Sequence, residues 1–286
     1  MIIKFKYFLQ FIIIIILFLI FKVLRLKLSS SFCGKIFQAI GPYFRSEKII
    51  NKNLTNVFPD LDAENKSKII KNMWNNYGRV LAEYMFFNIF RKDKGKIISI
   101  EGKEILKQIN DEQSKAVFIS GHFANFELMA MEIEKAGINL ATIYRPLNNI
   151  FLNKIMEFIR KKYICKNQIK KGIGGLKLLI KLTKKNYSSA LMIDQRVSEG
   201  IKAQFFNKDA YTTTIPAQLI KRYEMPIIPV SIKRINKINF KIFIHQPINF
   251  NKNESVEVIT NKLNKIIEDL VLRNPHQWIW THNRWK

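Results

Sequence analysis

A histidine and a glutamate separated by four residues, His122-Phe123-Ala124-Asn125-Phe126-Glu127, have the types and spacing of a general-base pair. Five residues turn an uninterrupted helix through about 500°, which leaves the two side chains off one face. His122 must then sit on a turn ahead of the helix, where the Glu127 carboxylate can reach back to one ring nitrogen. The other nitrogen is thereby fixed as the unprotonated acceptor, able to take a proton from a hydroxyl. Taken alone, the pair equally describes a satisfied turn histidine followed by a helix N-terminal glutamate. No enzyme nucleophile is offered beside it: there is no G-x-S-x-G elbow, and Cys33 and Cys165, the only cysteines, stand in no thiolate-stabilising motif.

The elements that must position these residues follow from hydrophobic periodicity. Between Phe44 and Lys96, apolar residues at helical spacing predict a helical region lying across a later core. A strand-helix rhythm takes over from there. Ala116 to Ser120, Leu140 to Tyr144, Ser189 to Ile193, Ile227 to Ile232 and Phe240 to His245 are expected strands. Helices are expected over about 125–136, 151–161, 176–184, 214–223 and 256–272. Strands alternating with helices imply an α/β fold with a mostly parallel central sheet covered by helices. In such sheets functional groups collect beyond the strand carboxyl ends, and three of those ends carry His122, Arg145 and Asp194.

The 286-residue chain carries 48 Lys and Arg against 22 Asp and Glu, a formal charge of +26. Heavy use of Lys, Asn and Ile throughout inflates that figure, and the remainder suits phosphate-bearing or acidic partners. With 48% hydrophobic residues the composition is globular, which excludes a disordered polyelectrolyte. Two cysteines exclude a disulfide framework and a thiolate-rich metal site. Tyr7 to Phe21 is uncharged and almost wholly apolar, with Lys4 and Lys6 before it and Lys22, Arg25 and Lys27 after it. It is expected to be a retained membrane anchor, its rival being a cleaved signal peptide; the greater basic count after it places the remaining chain in the cytoplasm. The expected division is therefore 1–28, an N-terminal membrane-anchoring helix and flanks, and 29–286, one catalytic domain.

Several blocks together resemble the bacterial lipid A late acyltransferases, the lauroyl/myristoyl acyltransferase family. They are Gly121 to Glu127, Tyr144-Arg145-Pro146-Leu147-Asn148-Asn149, Asp194-Gln195 with Gly200, Phe205-Phe206 and Thr212 to Ala217, and the tail Asn274 to Lys286; Asn53-Leu54 with Phe58-Pro59 is similar to that family's N-terminal helical region. Ala124 and Phe126 replace a more usual Gly and Trp, and His276 and Asn283 replace a common acidic and a common basic residue. The resemblance implies acyl transfer from acyl carrier protein to a hydroxyl of a lipid A precursor, at the inner (cytoplasmic) membrane, with the catalytic domain facing the cytoplasm and no metal or organic cofactor.

On that reading His122 deprotonates the acceptor and Glu127 holds the imidazole. Arg145 and the amides of residues 123 to 125, Asn125 among them, are the candidates for stabilising the oxyanion; Arg145 could instead bind a substrate phosphate. Asp194 is expected to order the site by pairing with Arg145, Arg196 or backbone amides, and Arg196 to meet phosphate. Thr214, with Thr212 and Thr213, is either a helix cap or a substrate contact. Ten basic residues and no acidic one between Arg160 and Lys185 mark a dock for an anionic membrane surface or for acyl carrier protein, or a solvated face. Another phospholipid, glycolipid or aminolipid acceptor, and a non-catalytic basic membrane protein, are the competing functions; no nucleic-acid module is visible.

Overall fold

The computed structural model describes residues 2–286. A long helix, α1 (Ile2–Ile40), opens the chain and breaks at Arg25, whose φ of 61° is outside the helical range. The carbonyls freed there are not left bare: Ser29 Oγ lies 2.7 Å from both the Phe21 and Arg25 oxygens. Helices α2 (Glu47–Val57), α3 (Ala63–Glu83) and α4 (Phe87–Lys92) follow, as the 44–96 periodicity predicts. Asp62 caps α3 by accepting from the Asn65 N–H. α1 and α3 approach closely because Gly78 has no side chain: a Cβ there would lie 2.3 Å from the Cys33 carbonyl oxygen.

The rest is the α/β body. Its strands are β1 (Ile98–Glu101), β2 (Val117–Ser120), β3 (Leu140–Tyr144), β4 (Asn167–Lys170), β5 (Ser188–Met192), β8 (Ile227–Asn236) and β9 (Asn239–Ile244), in spatial order β1-β9-β8-β2-β5-β3-β4. Every neighbouring pair is parallel except β8 with β9. β2 is buried at all four positions, as a central strand covered on both faces must be. Around the sheet lie α5 (Lys103–Asp111), α6 (Glu127–Lys135), α7 (Ile150–Ile159), α8 (Ile173–Lys184), α9 (Ile215–Tyr223) and α10 (Val256–Arg273), while β6 (Ile201–Phe205) and β7 (Lys208–Thr212) form a separate hairpin. A π-helical turn, Arg160–Ile164, extends α7.

Several features go beyond the sequence expectation. β1 and β4 are four-residue edge strands whose polar positions hid any alternation. β9 enters the sheet antiparallel because only the tight turn Lys237–Ile238 separates it from β8, too short for a crossover. After α10 the chain doubles back as an extended tail, with Trp280 and Arg284 fully buried. That tail passes beneath the turn bearing His122: Ala124 N–H donates to the Gln277 carbonyl at 2.9 Å, and Phe123 bridges to Trp278.

Candidate active site

β2 and β5 are neighbours in register, with Ser120 beside Met192, so the residues just beyond them meet. His122 follows β2 and Asp194 follows β5. The Asp194 carboxylate accepts the His122 backbone N–H at 2.8 Å and lies 2.8 Å from His122 Nδ1 through its second oxygen. Trp278 Nε1–H adds a third bond at 2.8 Å. Gly121 permits the approach, since a Cβ there would press on the Phe123 ring and on Asp194. Asp194 is 2% exposed. Burial pushes its carboxyl up, but the His122 imidazole, its two hydrogen bonds and the Trp278 indole together bring it down to about 2.

An ionised carboxylate only accepts, so Nδ1 carries the ring proton and Nε2 is left as a lone-pair acceptor. The orienting partner of His122 is therefore Asp194, not Glu127. The reason is topological: adjacency of β2 and β5 brings Asp194 to the imidazole, while the start of α6 turns Glu127 elsewhere. Glu127 is buried and accepts from the Tyr84 hydroxyl and from Arg160, whose Nε lies at 2.8 Å and whose Nη2 makes a second bond. Burial, with Glu127 alongside, holds the Tyr84 hydroxyl protonated well above the usual phenol range. The Phe126 ring meets the His122 ring edge-on at 4.7 Å.

Two cavities converge here. One, of about 310 Å³, runs between the sheet and α6 and is lined chiefly by apolar side chains such as Phe118, Met129 and Ile133. The other, of about 540 Å³, lies between α1, α3 and α7, with Phe18, Leu81 and Met156 in its walls. Both are lined by His122, Phe126, Arg145, Arg160 and Gln195. An apolar slot on either side of a histidine lone pair suits two substrates with hydrocarbon chains.

The other predicted residues divide. Arg145, exposed after β3, borders both cavities. Arg196 lines neither: its guanidinium bonds Ser198 at 3.1 Å and lies over the Tyr211 ring, and its N–H donates to His282 Nε2 at 2.9 Å. Burial pushes His282 down to about 4, so its ring is the neutral acceptor that bond requires. Asn125 faces away from the chemistry. It is fully buried and donates to Glu83 at 2.9 Å, because the turn points it toward the Glu83–Arg234 pair under α3. Thr214 accepts from the Gln218 amide rather than capping its helix; Thr213, which accepts from the Ile215 N–H, is the threonine that lines the smaller cavity. The amides of 123 and 124 are likewise taken, by the Gly121 and Gln277 carbonyls, and of the two predicted arginines Arg145 is the one at the junction.

A family model described as bacterial lipid A biosynthesis acyltransferase matches residues 2–286. The chain belongs to that family. It is similar to three Escherichia coli (strain K12) enzymes. The lipid A biosynthesis palmitoleoyltransferase is 24% identical over 85% of this chain and 79% of its own length. The lauroyltransferase is 22% identical over 89% and 83%, and the myristoyltransferase 19% identical over 86% and 76%. Among solved structures, the 1-acyl-sn-glycerophosphate acyltransferase PlsC of Thermotoga maritima superimposes at a TM-score of 0.37 with 15% identity, over 84% of this chain and 93% of that one.

In this acyltransferase, three site residues escaped the sequence reading. Arg160 begins a long basic run and was indistinguishable there from a solvated lysine face. Tyr84 continues the apolar stripe one residue past the end of α3, and Trp278 falls in a tail rich in aromatics, which by type alone read as packing residues. The helical turns that follow α3 and α7 bring Tyr84 and Arg160 together at Glu127, and the return of the tail brings Trp278 to Asp194.

Proposed function

We propose that this acyltransferase moves a fatty acyl group from the thioester of acyl carrier protein to a hydroxyl of a lipid A precursor, the 3-hydroxyl of an acyl chain already attached. Residues 1–28 anchor it at the inner membrane and 29–286 carry out the chemistry on the cytoplasmic side. The observation that carries the reading is the free Nε2 of His122 at the meeting point of two apolar cavities.

The acceptor hydroxyl gives its proton to His122 Nε2 as its oxygen attacks the thioester carbon. Asp194 holds the imidazole and stabilises the imidazolium that forms, help worth roughly 10² to 10⁴ in rate. Arg145 meets the negative charge that develops on the carbonyl oxygen. The carbon–sulfur bond then breaks, and the imidazolium returns its proton to the departing thiolate, so that ester and carrier thiol leave and the enzyme is regenerated. No cofactor takes part. Glu127, fixed by Tyr84 and Arg160, keeps Arg160 in place between the two cavities. Exposed Lys177, Lys181 and Lys184 on α8, with Lys171 at the rim of the smaller cavity, present positive charge to the acidic carrier.

Because the relatives are named for three different acyl groups, chain length is assigned to the cavity walls and not to the polar centre. The test is transfer from acyl carrier protein to a tetraacylated lipid A precursor, read by mass spectrometry, for wild type beside His122→Ala. One added acyl mass that is lost in the variant is expected. Undiminished product from His122→Ala would refute the base, and product only with a phospholipid or aminolipid acceptor would replace the substrate.

A further inference from the structure

α1 is long and apolar enough to cross a bilayer by length and composition, yet its first half is docked on the rest of the protein. Phe8 and Phe11 pack on Phe151 of α7, with ring centroids 5.7 and 5.8 Å apart. Asn149, at the head of α7, donates to the Tyr7 carbonyl at 2.8 Å and to Gln10 at 3.3 Å. Further along, Ile14 and Phe18 form one wall of the larger cavity, opposite Leu152 and Ile155 of α7. α7 therefore runs beside the very segment that would have to span.

An upright helix from Tyr7 to Phe21 rises about 22 Å. Fixed next to its first turn, α7 would be carried deep into the hydrocarbon, together with exposed Lys154 and Lys161, charged groups that the bilayer interior disfavours. α7 is built instead for a lipid boundary. Its outer side exposes Ile150 and Phe158 at 49% and 59%, with Leu147 just before it, Lys154 within it and Lys161 and Lys162 just after it. Large exposed apolar residues beside basic ones mark an element lying in the interface plane.

We infer that α1 and α7 lie together in one leaflet of an anionic phospholipid membrane, their exposed apolar sides among the acyl chains and their lysines at the headgroups. The larger cavity, walled by both helices, then opens toward the leaflet, and a lipid chain can reach His122 sideways without leaving the membrane. The membrane face stands independently of the acyl-transfer reading, and its test measures depth and sidedness rather than turnover.

Full-length protein carrying Ile150→Cys, Phe158→Cys or, as a control on the exposed hairpin, Lys202→Cys is labelled with an environment-sensitive fluorophore; native Cys33 and Cys165 are buried. It is reconstituted into phosphatidylcholine vesicles containing phosphatidylglycerol. Nitroxide-bearing lipid chains are expected to quench labels at 150 and 158 severalfold more than the label at 202. In a Lys4→Cys variant, an impermeant maleimide added outside is expected to reach residue 4 wherever it reaches residue 202. Labels at 150 and 158 quenched no more than the control, or residue 4 protected until detergent is added while residue 202 reacts, would overturn the inference.

Discussion

Replacing Asp194 by Asn tests the orientation of the base more sharply than deleting the base does. One carboxylate oxygen of Asp194 accepts two donors, the His122 backbone N–H and the Trp278 indole N–H, both at 2.8 Å. In the Asn variant only the amide oxygen can satisfy both, so the NH₂ group must face His122 Nδ1. Nδ1 then has to accept, the ring proton moves to Nε2, and the lone pair that would deprotonate the acceptor is gone. The side chain keeps its shape and two of its three bonds, so the variant still folds, less stable than wild type by the roughly 2 kcal/mol that the ionised carboxylate contributes. The full value of general-base help is at risk, a fall in kcat of about 10² to 10⁴, or roughly 3–5 kcal/mol of transition-state stabilisation. KM for both substrates should stay near the wild-type value. The assay is steady-state transfer measured by mass spectrometry, with a thermal melt on the same samples. An Asp194→Asn enzyme that still unfolds cooperatively and keeps kcat within about tenfold, below the floor for general-base help, would refute the assignment, all the more if Glu127→Gln lost the activity instead.

Other consequences follow from the same structure. Asp194 has a folded value of about 2 against an ordinary 3.8, so the stability it contributes, about 2 kcal/mol, is fully present above pH 4 and is lost as pH falls toward 2; urea melts of wild type against Asp194→Asn should show a gap that is constant near neutrality and closes only in that acid window. Arg234→Ala leaves Glu83, which is 0% exposed, as an unpaired buried charge and is expected to cost roughly 3–5 kcal/mol, while a joint Glu83→Met, Arg234→Met variant should cost much less by chemical denaturation. Gly78→Val places a side chain against the Cys33 carbonyl, and should lower the melting temperature and loosen α1, seen as faster proteolysis within 26–40. Met156→Trp narrows the larger cavity and is expected to raise KM for the lipid acceptor more than KM for the acyl carrier thioester.

Much of the architecture was legible because period and burial agree. The run Ala116 to Ser120 is apolar without alternation, which only a covered central strand explains, and α10 repeats buried Ile259, Leu263 and Ile267 at helical spacing. The strand ends bearing His122, Arg145 and Asp194 were legible for the same reason. What sequence distance concealed was which strand lies beside which. Glu127 is five residues from His122 and Asp194 is seventy-two residues away, yet the order β2-β5 makes the distant carboxylate the neighbour. Asn125 illustrates the converse: it adjoins the reactive turn in sequence, but Ala124, at a positive φ of 44°, swings the chain so that the Asn125 side chain enters the core. Edge strands such as β4, with one buried residue in four, carry too little pattern to be found.

The threading of the tail beneath the reactive turn sets an order in time. Ribosomes deliver α1 first and the Trp278 indole more than 250 residues later, an interval of roughly 10–50 s at 5–20 residues per second. Until Trp278 and Gln277 arrive, Asp194 lacks one of its three donors and the Ala124 amide lacks its acceptor. The nascent chain therefore presents α1 well before Asp194 has its full set of donors, and the turn bearing His122 is complete only once the tail has folded back beneath it.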